Sequence, residues 1–255
     1  MEDDLFLTLH TTLAPEALKE KLQQWEPWSC RFDFSNGVST KDFKRLNFFG
    51  EHPLKLFSIV EPAIPFAELP GVKMLDIGCN AGYNSIHAAA KYGVSSTGID
   101  VEPRHIEVSR FISELAGVNA QFLIGSAETF SRPNEFNVVI HFGTLYHLPN
   151  PLLSLRVTFE NLQAGGYLAL ETQVYDHPHD PNICYFMHMQ NNDDTNFWAW
   201  STSVLTKCLE LVGFQEIRQL LKVVPAKGLA QHMARICLVA RKPERPSVSP
   251  WLYSI

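Results

Sequence analysis

The sequence predicts an α/β protein built on a mostly parallel, seven-stranded sheet with helices on both faces. From Val72 onward, apolar runs bounded by Gly or Asp alternate with segments of helical period, which is typical of parallel βαβ units. The last two apolar runs follow a single helix and lie close together, which predicts an antiparallel terminal hairpin. Hydrophobic residues make up 45% of the 255 residues and charged residues 19%, so the chain can bury one large core with an appended segment.

Residues 1–69 are predicted to form an N-terminal helix followed by a cap. The segment PEALKEKLQQW places Leu18, Leu22 and Trp25 at helical spacing after a proline that suits a first turn. Residues 27–52 then mix aromatic side chains with turn formers. We therefore expect a lid on the main domain and no second core.

The main domain is predicted to span residues 70–243. Apolar runs predict strands at 72–77, 95–100, 120–125, 136–142, 165–174, 215–224 and 233–241. Segments of helical period predict helices near 82–92, 104–116, 151–162 and 202–212. Each helix is followed by a glycine that can cap its C-terminus: Gly93, Gly117, Gly165 and Gly213.

Residues 175–200 are predicted to form an insert on the substrate side of the domain. The segment is too long for an ordinary link, and long connections of this kind are usually functional. Its DHPHD run contains metal-binding residue types, but prolines interrupt the run and no helical HxxxH spacing appears, so no metal site is expected. We favour a polar lid over a substrate pocket, with an apolar wall formed by Phe197, Trp198 and Trp200.

Charge and cysteine content limit the partners. The net charge of −6 and the pI near 5.9 repel phosphate backbones, so a nucleic-acid partner such as tRNA would need a local basic patch. Five scattered cysteines without CxxC spacing suggest neither a disulfide framework nor a thiolate zinc site. Because the first residues are acidic and no apolar run is long enough to span a bilayer, we expect a cytoplasmic enzyme. The proline-rich tail, residues 244–255, is expected to wrap the surface or to be partly disordered.

The strongest motif is VKMLDIGCNAGYNSIHAAA, in which a buried strand turns tightly into a helix. Such a turn presents backbone N–H groups, and glycine lets a ligand approach closely. Tyr83 occupies the position of the third glycine of a dinucleotide motif, so NAD and FAD are disfavoured. Adenosylmethionine carries no phosphate, and its positive charges suit an acidic neighbour such as Asp76.

A second acidic residue supports this interpretation. Eighteen residues after Gly82, the run STGID ends a strand with Asp100. A carboxylate at that position can accept hydrogen bonds from both ribose hydroxyls, as the acidic residue does in dinucleotide enzymes.

These motifs resemble those of class I S-adenosylmethionine-dependent methyltransferases, which have a Rossmann-like fold, over about residues 70–242. LDIGCNAG is similar to their first motif, GID to the second, GSAETF to the third and HFGTLYHLPNPLLSL to the fourth. The resemblance implies that Gly78 and Gly82 contact the methionine part of the cofactor and Asp100 the ribose. It implies that the adenine end is lined by Ser126, Ala127 and Glu128. Further cofactor contacts are expected within the motifs: Cys79, Asn80, Val101, His141, Phe142 and Gly143.

A narrower resemblance is to the tRNA wobble-uridine carboxymethyltransferases and their relatives that modify small molecules. GTLYHLPNPLLSL, LALETQVYD, STSVLTKCLELVGFQEIR and FDFSNGVSTKDF carry it. The tRNA enzymes hold a carboxylated adenosylmethionine through an N-terminal lysine and a C-terminal arginine pair, where this chain reads WSCRFDF and AKGLAQHMARI. We therefore predict ordinary methyl transfer.

Tyr146 and His147 lie just past the fourth strand, where the resemblance implies residues that face the transferred methyl group. Methyl transfer is an in-line displacement, so positioning and an apolar environment supply much of the acceleration. His147 can act as a general base if the acceptor arrives protonated, because its ordinary pKa lies near the working pH. The alternative is a histidine that only orders its loop. Tyr146 is expected to position the acceptor.

Three functions remain open from the sequence. The leading hypothesis is methyl transfer to an oxygen or nitrogen of a small organic acceptor. The second is modification of a tRNA wobble uridine, and the third is a regulatory protein that binds the cofactor without catalysis. No membrane partner is expected.

Overall fold

The structure, a computed structural model, describes residues 7–45, 52–69, 71–189, 193–224 and 232–245. The chain divides into two units, Met1–Ile124 and Gly125–Ile255. Each unit has its own strands and helices.

The N-terminal part of the first unit contains short elements: β1 (Thr8–Leu9), α1 (Pro15–Gln23), β2 (Asp33–Phe34) and α2 (His52–Val60). The predicted helix is confirmed as α1, which buries Leu18 and Leu22. Strands β1 and β2 pair in parallel. Aromatic residues of this segment, among them Trp28 and Phe32, share a hydrophobic core with helices that follow later in the unit.

Three parallel strands with two crossover helices complete the first unit. In chain order they are β3 (Lys73–Ile77), α3 (Tyr83–Tyr92), β4 (Ser95–Asp100), α4 (Pro103–Ala116) and β5 (Ala120–Ile124). Strand β4 pairs in parallel with both β3 and β5. Both helices end at a left-handed glycine, Gly93 and Gly117, as the sequence predicted.

The second unit has these elements: β6 (Phe136–Phe142), α5 (Pro151–Asn161), β7 (Leu162–Tyr175), β8 (Cys184–Phe186), β9 (Trp198–Trp200), α6 (Thr202–Val212), β10 (Gln215–Val223) and β11 (Met233–Arg241). Strand β7 pairs in parallel with β6 and antiparallel with β11, which pairs antiparallel with β10. The predicted terminal hairpin is therefore confirmed. The insert is more regular than predicted, because β8 pairs with β9 and β9 joins β7.

The α/β class is confirmed, since every predicted strand is present as β3 to β7, β10 or β11. In the part of the chain that the structure describes, no helix has both the length and the apolar character needed to cross a membrane.

The prediction that Gly165 caps the helix of residues 151–162 was wrong. Helix α5 ends at Asn161, and the chain passes directly into β7 through Leu162, whose backbone is extended. The buried Lys242 ammonium takes the place of a glycine cap, because its Nζ donates to the carbonyl oxygens of Phe159 and Leu162 at 2.9 and 2.7 Å. Gly165, with φ of 75°, lies inside β7 near an irregularity in the pairing with β6.

Candidate cofactor and active site

The loop between β3 and α3, residues 78–82, repeatedly adopts left-handed backbone conformations. Gly78, Asn80 and Gly82 have φ values of 68°, 48° and 79°. Asn is one of the few other residues that visit this region. At Gly82 a Cβ atom would lie 2.8 Å from ring atoms of Phe122, so both backbone conformation and space require glycine there.

Four consecutive backbone N–H groups of this loop are used inside the protein. They donate from Cys79 to Ile99 O (2.9 Å), from Asn80 to Asp100 Oδ2 (2.9 Å), from Ala81 to Asn80 Oδ1 (2.7 Å) and from Gly82 to Cys79 O (2.8 Å). Loops that bind phosphate offer such N–H groups to the ligand. These residues therefore suit a ligand without phosphates, which fits adenosylmethionine better than a dinucleotide.

The Asp100 carboxylate joins this loop to the start of α4. Its Oδ1 accepts the Glu102 N–H at 2.9 Å and lies 3.2 Å from His105 Nδ1, while Oδ2 accepts the Asn80 N–H. Burial opposes the charged form, but the hydrogen bonds from His105 and the two backbone groups hold the pKa of Asp100 below its ordinary value. A carboxylate has about four lone-pair sites, so Asp100 can still accept a hydrogen bond from a hydroxyl.

Asp76 and Cys79 are buried. The Asp76 side chain is almost inaccessible, and Ser85 Oγ donates to its Oδ2 at 3.1 Å. Burial raises the pKa of Asp76 to about 7, although hydrogen bonds from Ser85 and Asn84 reduce the effect. Burial also raises the pKa of the Cys79 thiol. A contact between either side chain and the cofactor stays a prediction.

The residues predicted at the adenine end begin the second unit. Ser126 Oγ accepts the Glu128 N–H at 3.2 Å, and Ala127 is buried. Glu128 Oε1 accepts the Asn150 N–H at 2.6 Å, which ties this turn to the start of α5. In the first unit, Val101 follows Asp100 and is 68% exposed.

His141, Phe142 and Gly143 end β6 and continue beyond it. His141 is fully buried with Nε2 3.0 Å from Ser154 Oγ, and burial lowers its pKa to about 4. Phe142 is also buried. Gly143, with φ of 64°, donates its N–H to Glu171 O at 3.0 Å. The structure thus directs His141 into the protein towards α5.

Tyr146 packs against an ion pair that sequence reasoning missed. Arg235 donates from Nε and Nη2 to Glu171 Oε1 and Oε2 at 2.5 and 2.7 Å, and its guanidinium carbon lies 5.4 Å from the Tyr146 ring centroid. Burial opposes the charge on Arg235, but the Glu171 carboxylate outweighs it and raises the pKa of Arg235. The glutamate within the apolar run LALETQV was a signal for this pair, because a buried acid needs a partner.

His147 contacts two residues of the insert that were also missed. Its Nδ1 lies 2.9 Å from Thr195 Oγ1 and 3.3 Å from the Thr195 carbonyl oxygen. Thr195 Oγ1 and the Thr195 N–H donate to Asp193 Oδ1 at 2.6 and 2.9 Å. Burial lowers the pKa of His147, although Asp193 and the Thr195 carbonyl act in the opposite direction. An Asp two residues before a Thr predicts a local turn, but not its histidine partner.

Strand β9 separates the aromatic residues predicted to wall the acceptor pocket. Ala199 is fully buried in a cluster with Tyr146. Because side chains alternate along a strand, Trp198 and Trp200 face the other side, where they line an open cavity of about 550 Å³ beside the start of α5. Phe197 donates its N–H to Tyr146 O at 2.9 Å. Phe197 therefore contacts Tyr146 through its backbone, and neither tryptophan belongs to the cluster of Tyr146 and Ala199.

Residues of the DHPHD run, 176–180, form hydrogen bonds, an ion pair and a β-bridge within the protein. Asp176 accepts hydrogen bonds from the Thr202 N–H and Oγ1 at 2.8 and 2.7 Å and binds Lys222 Nζ at 2.7 Å. His177 and Asp180 form an isolated β-bridge. Over the described ranges, no three or more His, Cys, Asp or Glu residues are arranged to hold a metal ion.

Comparison with known proteins agrees with this geometry. Residues 68–223 match the family described as Methyltransferase domain. Over 106 residues the chain is 35% identical to a ubiquinone biosynthesis O-methyltransferase of Xanthomonas campestris pv. campestris, which covers 41% of this chain and 44% of that protein. Over 108 residues it is 33% identical to a tRNA U34 carboxymethyltransferase of Desulfotalea psychrophila, covering 42% of this chain and 34% of that protein.

A solved structure supports the fold over a longer span. The N-terminal domain of EvdMO1, crystallised in the presence of SAH and D-fucose, matches with a TM-score of 0.70 and 19% identity over 90% of this chain and 97% of that domain. The chain spans less than half the length of the two curated relatives. The family match covers more than half of the chain. The chain therefore belongs to the S-adenosylmethionine-dependent methyltransferase family.

Proposed function

We propose that this protein transfers the methyl group of S-adenosylmethionine to an oxygen or nitrogen of a small organic acceptor. The observation that carries the proposal is the loop of residues 78–82. Its N–H groups from Cys79 to Gly82 are used internally, while Asp100 keeps a charged carboxylate beside it. This arrangement supports a ligand with hydroxyls and positive charge and without phosphates. When bound, adenosylmethionine supplies an electrophilic methyl group on a positively charged sulfonium.

The cofactor would be held by backbone shape and one carboxylate. Gly78 and Gly82 leave room for the methionine part, and Asp100 accepts a hydrogen bond from a ribose hydroxyl. Hydrogen bonds to a charged group contribute about 1.5–3 kcal/mol each, so Asp100 is expected to dominate affinity. Residues 126–128 would line the adenine. The remaining predicted contacts stay predictions: Asp76, Cys79, Asn80, Val101, His141, Phe142 and Gly143.

The acceptor would be bound and deprotonated by residues of the second unit. Burial lowers the pKa of His147, so its imidazole is neutral near pH 7 and can accept the proton of an O–H or N–H group. Tyr146 is held by its packing against Arg235 and would orient the acceptor. Phe197, whose backbone N–H bonds to the Tyr146 carbonyl, would supply an apolar wall. Trp198 and Trp200 would contact a part of the acceptor farther from the methyl group.

The similarity to ubiquinone biosynthesis O-methyltransferases supports a small acceptor with an oxygen nucleophile. The tRNA carboxymethyltransferase relative supports the second candidate. Against that candidate, the net charge of −6 disfavours a nucleic-acid partner, and Arg235 is already neutralised by Glu171, so it is not free to bind a cofactor carboxylate. We therefore rank tRNA modification second and a non-catalytic regulatory role third. The cytoplasmic location and the boundaries at residues 69 and 243 stay predictions.

The test is a transfer assay with isotopically labelled adenosylmethionine. The full chain is incubated with small hydroxyl and amino compounds, with a cell metabolite extract and with total tRNA, and products are identified by mass spectrometry. We expect a small molecule that gains one labelled methyl group, and no labelled tRNA. A carboxymethylated uridine would establish the second candidate, and saturable cofactor binding without any product would favour the third.

A further inference from the structure

The side chains of Thr195 and Asp193 determine which nitrogen of His147 carries the proton. Thr195 Oγ1 has a single hydrogen, which it donates to Asp193 Oδ1 at 2.6 Å. Towards His147 Nδ1, 2.9 Å away, the same oxygen can only accept. The Thr195 carbonyl oxygen, 3.3 Å from Nδ1, is also an acceptor. Both contacts therefore require a proton on Nδ1.

This arrangement leaves the other nitrogen as a base. A neutral imidazole has one proton, so Nε2 carries a lone pair when Nδ1 is protonated. Among the described residues, His147 Nε2 has no hydrogen-bond partner. In free histidine the proton prefers Nε2, so the arrangement around Thr195 selects the less common tautomer.

We propose that Thr195 and Asp193 are positioning residues that hold His147 in the Nδ1–H tautomer, so that Nε2 accepts the proton of the methyl acceptor. The proposal rests on the proposed methyl transfer. The acceptor's O–H or N–H bond breaks as the acceptor atom bonds to the methyl carbon, and the proton passes to Nε2. The electron pair of the carbon–sulfur bond stays on sulfur, so the positive charge lost there appears on the imidazolium.

Asp193 would also stabilise that imidazolium. Partial burial acts to raise the pKa of Asp193, but hydrogen bonds from Thr195 hold that pKa below its ordinary value. Asp193 is therefore charged near neutral pH. Its charge raises the pKa of His147, whereas Arg235 lowers it and the Tyr146 ring lies 4.2 Å from the imidazole. The relation is that of the carboxylate and histidine in catalytic triads, with a hydroxyl inserted between them.

The tautomer can be read without cofactor or acceptor by nitrogen NMR of protein carrying ¹⁵N-labelled histidine. His147→Gln identifies the signals of His147 by their disappearance. We expect protonated Nδ1 and unprotonated Nε2 in the parent and in Thr195→Ser, which keeps the hydroxyl. In Thr195→Val, which has a similar shape but no hydroxyl, we expect a mixture of tautomers. An Nε2–H tautomer in the parent, or an unchanged spectrum in Thr195→Val, would overturn the proposal.

Kinetics provide the second readout. Thr195→Val should lower kcat about tenfold, the effect of one lost hydrogen bond, with KM for the acceptor and the cofactor Kd within about twofold of the parent. Thr195→Ser should restore most of kcat. Asp193→Asn should shift the acidic limb of the pH–rate profile, which reports the pKa of the His147 base, to lower pH. If no acceptor is methylated while the NMR result is as expected, the proposed function fails and the tautomer assignment stands. If methylation occurs and Thr195→Val leaves kcat unchanged, the positioning role fails and the function stands.

Discussion

The loop of residues 78–82 and the contact between His147 and Thr195 are built in opposite ways. In the loop, left-handed backbone conformations at Gly78, Asn80 and Gly82 set the geometry, so Gly and Asn at fixed spacing reveal it. His147 meets a side chain 48 positions later in the chain, and no short motif records that meeting. The comparison shows why the sequence identifies the cofactor class readily and the acceptor chemistry poorly.

The largest effect is expected on kcat, from a substitution of His147. His147→Gln should lower kcat by about 10²–10⁴-fold, because it removes a general base, while the cofactor Kd changes little. Steady-state kinetics with the identified acceptor and a calorimetric titration measure the two quantities. His179→Gln, at an exposed position of the same insert, is the control and should match the parent. If the His147→Gln enzyme has the parental kcat, His147 is not a general base and only orders its loop.

In the loop of residues 78–82, a substitution of glycine is expected to reduce stability. Gly82→Ala should lower the free energy of unfolding by about 3 kcal/mol or more, because it adds a clash with Phe122 to the cost of a left-handed backbone. Gly117→Ala is a matched control, since Gly117 has φ of 63° but open space around it, and should cost about 1–2 kcal/mol. Denaturant unfolding compares them. Equal losses would show that the approach to Phe122 does not constrain the loop.

A smaller, pH-dependent effect is expected from Asp76 beneath the loop. Its pKa is raised from 3.8 to about 7, so its contribution to folding is fully present below about pH 4 and is lost as the pH rises through about 7. Asp76→Asn has no carboxyl group to ionise, so the variant does not lose this stability as the pH rises. Relative to the parent, the variant should therefore gain about 2–3 kcal/mol of stability between pH 5 and pH 8. Thermal melts at both pH values, with the exposed Asp42→Asn as control, test this; a difference independent of pH would contradict it.

The same contrast explains how far sequence reasoning reached. The strands that form the α/β sheets were predictable because apolar runs and turn residues are local signals. Gly165 was misassigned because a lysine that follows the distant strand β11 satisfies the end of α5. The ion pair of Glu171 with Arg235 and the contact of His147 with Thr195 needed the tertiary structure. Trp198 and Trp200 were grouped with Phe197 by proximity in sequence, and strand alternation separates their side chains from the Tyr146 cluster.

The central claim is that the loop and Asp100 bind the ribose of adenosylmethionine, and calorimetric titration of S-adenosylhomocysteine tests it most directly. The parent should bind this ligand and not NAD. Asp100→Ala should weaken binding by about tenfold to several hundredfold and Asp100→Asn by less, with melts confirming that each variant folds.

Because Asp100 also bonds to the loop backbone, the titration includes the analogue that lacks the 2′-hydroxyl. The parent should bind this analogue about tenfold more weakly than S-adenosylhomocysteine. Asp100→Ala should bind the two ligands almost equally, because it lacks the carboxylate that accepts a hydrogen bond from the 2′-hydroxyl. Binding of NAD without adenosylhomocysteine would contradict the account. So would a folded Asp100→Ala protein that binds adenosylhomocysteine as tightly as the parent.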